Sequence, residues 1–207
     1  DDTGSPEPPT AIATTAVCTT TGASGITITG SVYMYGLTLN CGSGAVNAAI
    51  TLDNASTAWN SWQTYEQCNL KIVATGVAAI ITIGASANQY PSRIEFLDCH
   101  VSFANAAARI AISLGEFVWN GGSVLSGSTA LTGGLIEPSS SGEYAKATIS
   151  GVDLQHLGAA SYLTDSGGVG TLDVVFRNCR LPASWTGGLH TGTLNPRDRV
   201  EMYNCDN

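Results

Sequence analysis

Charged residues are scarce in this chain, and lysine is the rarest of them. Charged side chains make up 12% of the 207 residues, and the formal net charge is −8 at pH 7. Only two lysines occur, Lys71 and Lys146. Nucleic acids and anionic membranes attract proteins through clustered Lys and Arg side chains. The composition therefore argues against nucleic acid and against a membrane surface as partners.

Long apolar runs and known catalytic motifs are also missing. The longest apolar stretch, residues 72–87, is interrupted by glycine and threonine and is too short to cross a bilayer. The sequence contains no Cys-x-x-Cys, no phosphate-binding loop and no Gly-x-Ser-x-Gly, and its three histidines lack metal-ligand spacing. We therefore expect no cofactor, and the sequence indicates no metal ligand and no catalytic residue.

What the chain does have is a regular series of cysteines. They recur at intervals of roughly 23 to 31 residues, apart from one long gap between Cys99 and Cys179 that is about three such steps. Around Cys99, Cys179 and Cys205 the local frame is shared: an apolar residue stands three positions earlier, and Asp or Asn directly precedes the cysteine. In the long gap the same frame carries glycine. The predicted ladder of small residues is Cys18, Cys41, Cys68, Cys99, Gly121, Gly151, Cys179 and Cys205.

This repeat predicts an all-β, single-domain parallel β-helix of roughly eight coils over residues 18–207. Short alternating runs such as Ile81–Ile83 and Ile110–Leu114 indicate strands with one inward face, and no long helical pattern is visible. Stacked coils complete a core that a single coil cannot bury. Residues 1–17, with three prolines, are predicted to form an extended N-terminal arm and lead-in that docks onto a neighbour.

The cysteine ladder leaves two chemical states open. Buried cysteine behaves as a small hydrophobic residue, so the first interpretation is a column of free thiols. Neighbouring slots at strand spacing are also within disulfide reach, which would permit Cys18–Cys41, Cys68–Cys99 and Cys179–Cys205.

Polar residues near the ladder are interpreted mainly as structural. Asp98, Asn120, Ser150, Asn178 and Asn204 precede the slots, where bend-forming side chains bond local backbone. Were the protein a polysaccharide lyase, the first candidates would be four charged residues of the later coils, namely Asp153, Asp173, Arg177 and Arg180. We favour a non-enzyme.

Aromatic residues gather around one coil. Trp59, Trp62, Tyr65 and Tyr90 are predicted as a surface for binding, because exposed aromatic rings stack on sugars or anchor interfaces. The alternative is that these residues belong to loops that pack against the outer face of the coils.

The stretches Ile94–Val101, Val174–Leu181 and Val200–Cys205 resemble the coils of right-handed parallel β-helix proteins of the pectate-lyase-like class. Such coils occur in tailed-phage virion proteins (spikes, fibres and decoration proteins) and in secreted polysaccharide enzymes. The resemblance implies the scaffold. The enzymes of this class generally carry capping elements and a carboxylate cluster, which this chain lacks in its sequence, so their active-site residues cannot be placed here.

The resemblance favours a non-enzymatic structural subunit on a virion surface or in an extracellular setting. The sequence given ends two residues after the Cys205 slot, and an uncovered solenoid end exposes strand edges and apolar interior. We therefore expect a homo-oligomer, or contacts with capsid or tail subunits, with a further domain or the arm as other ways to cover the end. A polysaccharide-degrading or glycan-binding tailspike fragment and a bacterial adhesin or filament module are the alternatives.

Overall fold

The computed structural model describes residues 16–53, 62–84, 92–139, 144–166 and 170–207. These residues wind into a parallel β-solenoid, which confirms the predicted fold class. The strands of the first half are β1 (Val17–Thr19), β2 (Ile26–Thr29), β3 (Val32–Tyr35), β4 (Thr38–Cys41), β5 (Ile50–Asp53), β6 (Trp62–Glu66), β7 (Asn69–Ile72), β8 (Ile81–Ile83), β9 (Ser92–Leu97), β10 (His100–Phe103) and β11 (Ile110–Ile112).

The second half continues the same winding. Its strands are β12 (Gly115–Asn120), β13 (Ser123–Val124), β14 (Gly134–Pro138), β15 (Tyr144–Ser150), β16 (Tyr162–Asp165), β17 (Thr171–Arg177), β18 (His190–Thr191) and β19 (Arg199–Tyr203). A short 3₁₀ helix, Gln155–Leu157, precedes β16. The stack has about six turns rather than the eight predicted. The prediction counted every slot as a coil, whereas the described residues around the first and last slots contribute only part of a turn.

Three parallel sheets form the sides of the solenoid. Sheet 1 has the order β1-β4-β7-β10-β13 and continues as single bridges through Asp153, Arg180 and Asp206. Sheet 2 has the order β18-β16-β14-β11-β8-β5-β2, and sheet 3 has the order β19-β17-β15-β12-β9-β6-β3. Each complete turn passes from sheet 3 to sheet 1 and then to sheet 2.

The core consists of side-chain columns that run up the inside of each sheet. In sheet 2 one column begins with five isoleucines and ends in two polar residues: Ile26, Ile50, Ile81, Ile110, Ile136, Thr164 and His190. In sheet 3 the corresponding column is larger: Met34, Tyr65, Phe96, Trp119, Ile149, Phe176 and Met202. β-Branched and aromatic residues suit this pleated, buried surface, which explains why these segments form strands.

A single conformation turns the chain between sheets 3 and 1. The residue after each sheet 3 strand has a positive φ, between 49° and 70°, at Gly36, Gln67, Asp98, Gly121, Gly151, Asn178 and Asn204. Glycine adopts this conformation freely, and Asn and Asp tolerate it better than other residues. Three of the predicted bend residues therefore lie at the bend itself. Asn120 and Ser150 instead end their strands, and the following glycine makes the turn.

The strand register shows that the column of residues aligned with Cys99 differs from the predicted cysteine ladder. Aligned with Cys99 by strand pairing are Leu37, Cys68, Gly122, Val152, Cys179 and Cys205. Gly121 and Gly151 lie one residue earlier, at the bend. Cys41 and Cys18 lie within strands of sheet 1, where they pair with Ile72 and Leu39. The nearly regular spacing of the cysteines concealed these offsets, because the loops between strands differ in length from turn to turn.

All six cysteines are free thiols, in agreement with the first interpretation. Four of them, Cys41, Cys68, Cys99 and Cys179, are fully buried. The Cys99 Sγ donates to the carbonyl oxygen of Tyr65, on the adjacent turn, at 3.1 Å. The slot thus accepts cysteine because a small apolar side chain with a weak donor can satisfy a buried carbonyl group.

Candidate functional site

The structure places the described members of the predicted aromatic surface in different environments. Trp62 projects from the outer face of β6 and is 65% exposed. Tyr65, on the same strand, is fully buried and does not belong to a surface. Trp59 and Tyr90 lie outside the described residues. The structure therefore retains one member of the predicted set as exposed and corrects another.

Tyr65 is buried because it occupies the inner column of sheet 3, three residues before Cys68. Its ring meets Phe96 edge to face, with centroids 5.6 Å apart. Its hydroxyl donates to Oε1 of Gln63 at 2.7 Å, and the Gln63 amide donates to three backbone carbonyl groups, so the polar end is satisfied. The repeat carries an apolar residue three positions before the slot, and this rule applied to Tyr65 predicts its burial.

Trp62 has an exposed aromatic neighbour. Tyr33 on β3 is 61% exposed and pairs in register with Thr64, so it lies diagonally across from Trp62. On the other side Trp62 pairs with Arg93. The Tyr33 hydroxyl donates to Glu66 at 2.5 Å, which fixes the ring on the sheet, and this hydrogen bond raises the pKa of Tyr33 to about 12. Both rings are exposed on the outer face of sheet 3, and an exposed aromatic ring can stack on a planar or sugar-like face.

The four lyase candidates are spread over two sheets. Asp153 and Arg180 face each other on sheet 1, with Oδ2 and Nη1 4.0 Å apart. Asp173 lies on the outer face of sheet 3, where the Tyr144 hydroxyl donates to it at 2.7 Å. Arg177 lies over the ring of Tyr203 at 5.8 Å. Each group has a structural partner, and the fold does not bring the four together.

The last rung of sheet 3 is only partly covered. Val174 and Phe176 on β17 are fully buried, whereas their register partners on β19, Val200 and Met202, are partly exposed. Met202 is 37% exposed. Among the described residues, β19 pairs on one side only. An inner, apolar strand face and a free backbone edge thus meet at this end of the stack.

A separate cleft opens beside sheet 2. Its volume is about 220 Å³, and its lining combines three charged side chains with small residues: Ala107, Ala108, Arg109, Thr132, Gly133, Gly134, Glu137 and Asp165. The guanidinium of Arg109 donates from Nε to Glu137 and from Nη1 to the carbonyl oxygen of Ala107, the latter at 3.1 Å. Arg109 is therefore held in place from two sides.

The cleft interrupts a regular column on the outer face of sheet 2. In register order the column reads Thr27, Thr51, Thr82, Ala111, Glu137, Asp165 and Thr191. Ala111, which pairs with Glu137 in this column, is buried and does not line the cleft. Gly134 allows a close approach of the next turn, because a methyl group at that position would collide with the backbone of Thr164 and Asp165.

Burial shapes the electrostatics of this cleft. The Glu137 side chain is only 11% exposed, and that of Arg109 is 29% exposed. Burial lowers the pKa of Arg109, and the charge of Asp165 opposes the shift. Arginine nevertheless remains protonated at neutral pH. One cation and two carboxylates therefore share a site in which water screens charge less than in bulk.

The chain is a parallel β-solenoid with a partly exposed last rung, an exposed aromatic pair and a polar cleft. No helix among the described residues is long and apolar enough to span a membrane. Within the same residues, His, Cys, Asp and Glu side chains form no group of three that could hold a metal ion. No protein-family model, no curated protein and no solved structure matches the chain.

Proposed function

We propose that the chain is a non-enzymatic structural subunit that works as an oligomer in a surface assembly of the virion type, such as a head decoration or a tail fibre. The last rung is the observation that carries this proposal. Its inner residues Val200 and Met202 are partly exposed, while their partners one turn below are fully buried. Unpaired strand edges recruit further strands, and apolar surface favours association.

The partner in this proposal is a second copy of the chain or a neighbouring structural subunit. Coverage of β19 by another strand would pair its free backbone groups and bury Met202. We further propose a virion surface or an extracellular location, where a repetitive, lysine-poor solenoid would serve as a rigid spacer. The resemblance of its coils to those of phage virion proteins supports this setting.

Light scattering after size exclusion tests the proposal. The purified chain at micromolar concentration should have the mass of an oligomer. Met202→Lys places a charge in the exposed end of the core and should shift the mass toward the monomer. Val77→Lys is the matched control, because Val77 is 72% exposed in a loop outside the strands. A wild-type protein that stays monomeric at these concentrations would contradict the proposal.

A glycan-binding role is the second candidate, and the exposed pair Trp62 and Tyr33 favours it. Stacking of a sugar ring on these side chains would slow the protein in native gels that contain a polysaccharide. Trp62→Ala should remove that retardation. Tyr144→Ala, at an exposed aromatic residue elsewhere on sheet 3, should leave it unchanged. Equal mobility of all three proteins in every polysaccharide gel would speak against this role.

A further inference from the structure

We propose that the cleft formed by Arg109, Glu137 and Asp165 binds a single neutral polyhydroxy unit, such as a hexose ring, through adjacent hydroxyl groups. This site is distinct from the exposed last rung and from the aromatic pair on sheet 3. Nothing in the assembly proposal depends on it.

The mixture of charges in the cleft indicates the chemical class of the ligand. An anionic ligand would meet the carboxylates of Glu137 and Asp165, and a cationic ligand would meet the guanidinium of Arg109. A hydroxyl group is both donor and acceptor, so it can accept from the guanidinium and donate to a carboxylate. Two adjacent hydroxyl groups of a sugar can repeat this pattern. The site therefore matches a neutral diol better than either ion.

The cleft is organised before any ligand arrives. Nε and Nη1 of Arg109 donate to Glu137 and to the Ala107 carbonyl oxygen, and Arg109 is part of the lining of the cleft. Thr132 is held by a hydrogen bond to the carbonyl oxygen of Ala106 at 3.1 Å. Fixed donors and acceptors lose little freedom on binding, and hydrogen bonds to charged groups are stronger than those between neutral groups.

The size of the cleft sets how much of a ligand it can hold. A cleft of about 220 Å³ accommodates a single hexose ring, and further units of a chain would extend beyond it. Gly133 lines it without a special backbone conformation, and a methyl group there would lie 3.5 Å from a carboxylate oxygen of Asp165. A larger side chain at this position would fill the cleft from one wall. The same substitution at Gly134 would collide with backbone and so could not be used.

Ligand-observed NMR and calorimetry can test the assignment with methyl glucoside, methyl galactoside and methyl mannoside. Galacturonate and glucosamine serve as the anionic and cationic counterparts. At least one neutral glycoside should bind saturably and more tightly than its charged counterparts. A neutral polysaccharide and its terminal disaccharide form a further arm: binding of the disaccharide alone would identify a chain end as the source of the sugar.

Three variants locate the binding. Gly133→Leu should abolish it by filling the cleft, and Asp165→Asn should weaken it about tenfold, as expected for loss of a hydrogen bond to a charged group. Asp153→Asn removes a carboxylate that pairs with Arg180 outside the cleft and should leave affinity unchanged. Trp62→Ala should also be neutral. Thermal unfolding and circular dichroism establish that each variant is folded.

Three results would overturn the proposal. The first is the absence of saturable binding by the wild-type protein for every neutral glycoside. The second is binding that persists in a folded Gly133→Leu protein, and the third is binding that disappears in Trp62→Ala, since in both cases the sugar would bind elsewhere. The mass of the oligomer is measured separately, so failure of this proposal and failure of the assembly proposal are distinguishable.

Discussion

Arg93 and Glu116 form an ion pair between adjacent rungs of sheet 3, with Nη1 3.0 Å from Oε2. The pair belongs to a longer ladder, because Lys146 on the next rung contacts the other carboxylate oxygen of Glu116 at 2.8 Å. In register order the ladder alternates in sign through Arg93, Glu116, Lys146, Asp173 and Arg199. Opposite charges at directly paired positions favour this register of the strands.

We expect Glu116→Lys to destabilise the solenoid in a salt-dependent way. The substitution puts three positive charges on consecutive rungs, and like charges directly opposite each other on strands are unfavourable. The free energy of unfolding should fall by about 1 kcal/mol at low ionic strength and recover in part in 0.5 M salt, where screening is strong. Urea denaturation at both salt concentrations measures this. An equal loss at both would show that packing, rather than charge, is affected.

Trp119→Ala should be among the most damaging substitutions in the chain. Trp119 is fully buried, packs against Phe96 and Phe117, and donates from Nε1 to the carbonyl oxygen of Cys99 at 3.2 Å. Loss of such a side chain costs about 3–5 kcal/mol. Trp62→Ala is the control of equal size on an exposed face and should change stability by less than about 0.5 kcal/mol. Similar losses in the two variants would contradict the assigned strand faces.

Substitutions at two glycines distinguish the cost of an unfavourable backbone conformation from the cost of a steric collision. Gly151 has a φ of 65° and open space around its α-carbon, so Gly151→Ala should cost about 1 kcal/mol. Gly122 has a φ of 84°, and a methyl group there would collide with the carbonyl oxygen of Cys99. Gly122→Ala should therefore cost about 1–3 kcal/mol more. Chemical denaturation measures the loss of unfolding free energy in both variants. A smaller loss for Gly122→Ala than for Gly151→Ala would disprove the register at this turn.

Stability should fall at high pH because of the buried thiols. Burial raises the pKa of Cys179 to about 11, above its ordinary value of 9.0, and burial also raises the pKa of Cys41. The folded state then holds these protons more tightly than the unfolded state, so the stabilisation is complete below about pH 9 and is lost as the pH rises toward 11. Each such thiol contributes a slope of up to about 1.4 kcal/mol per pH unit in that window.

The Cys179→Ala variant should show a shallower fall in unfolding free energy between pH 9 and 11 than the wild-type protein. Cys18→Ala, at an exposed cysteine, should keep the wild-type slope. Parallel curves for all three proteins would rule out a contribution from the buried thiol.

The parallel solenoid could be predicted from sequence because its repeat is carried by the inner side chains. Phe96, Phe176 and Met202 recur three residues before a cysteine, and that frame survives in the strand register. Exact alignment could not be predicted at Gly121 and Gly151. Glycine satisfies both the bend and the small inner slot, so the sequence alone does not distinguish them.

The cleft could not be predicted from the sequence, for a different reason. Arg109, Glu137 and Asp165 lie in or beside sheet 2, and the loops that lead into this sheet vary in length from turn to turn. Counting from the cysteine slot therefore loses the register before Glu137 is reached. The one available signal was the column of Thr27, Thr51 and Thr82, whose continuation is charged, but recognising it requires the strand pairing.

An image of the assembled protein by electron cryomicroscopy tests the central claim most directly, because it shows what contacts each end of the solenoid. The proposed function predicts oligomers in which β19 is covered by another strand, with Val200 and Met202 buried at the contact. Particles that associate only through the outer faces of the sheets, or single solenoids with β19 facing solvent, would contradict it.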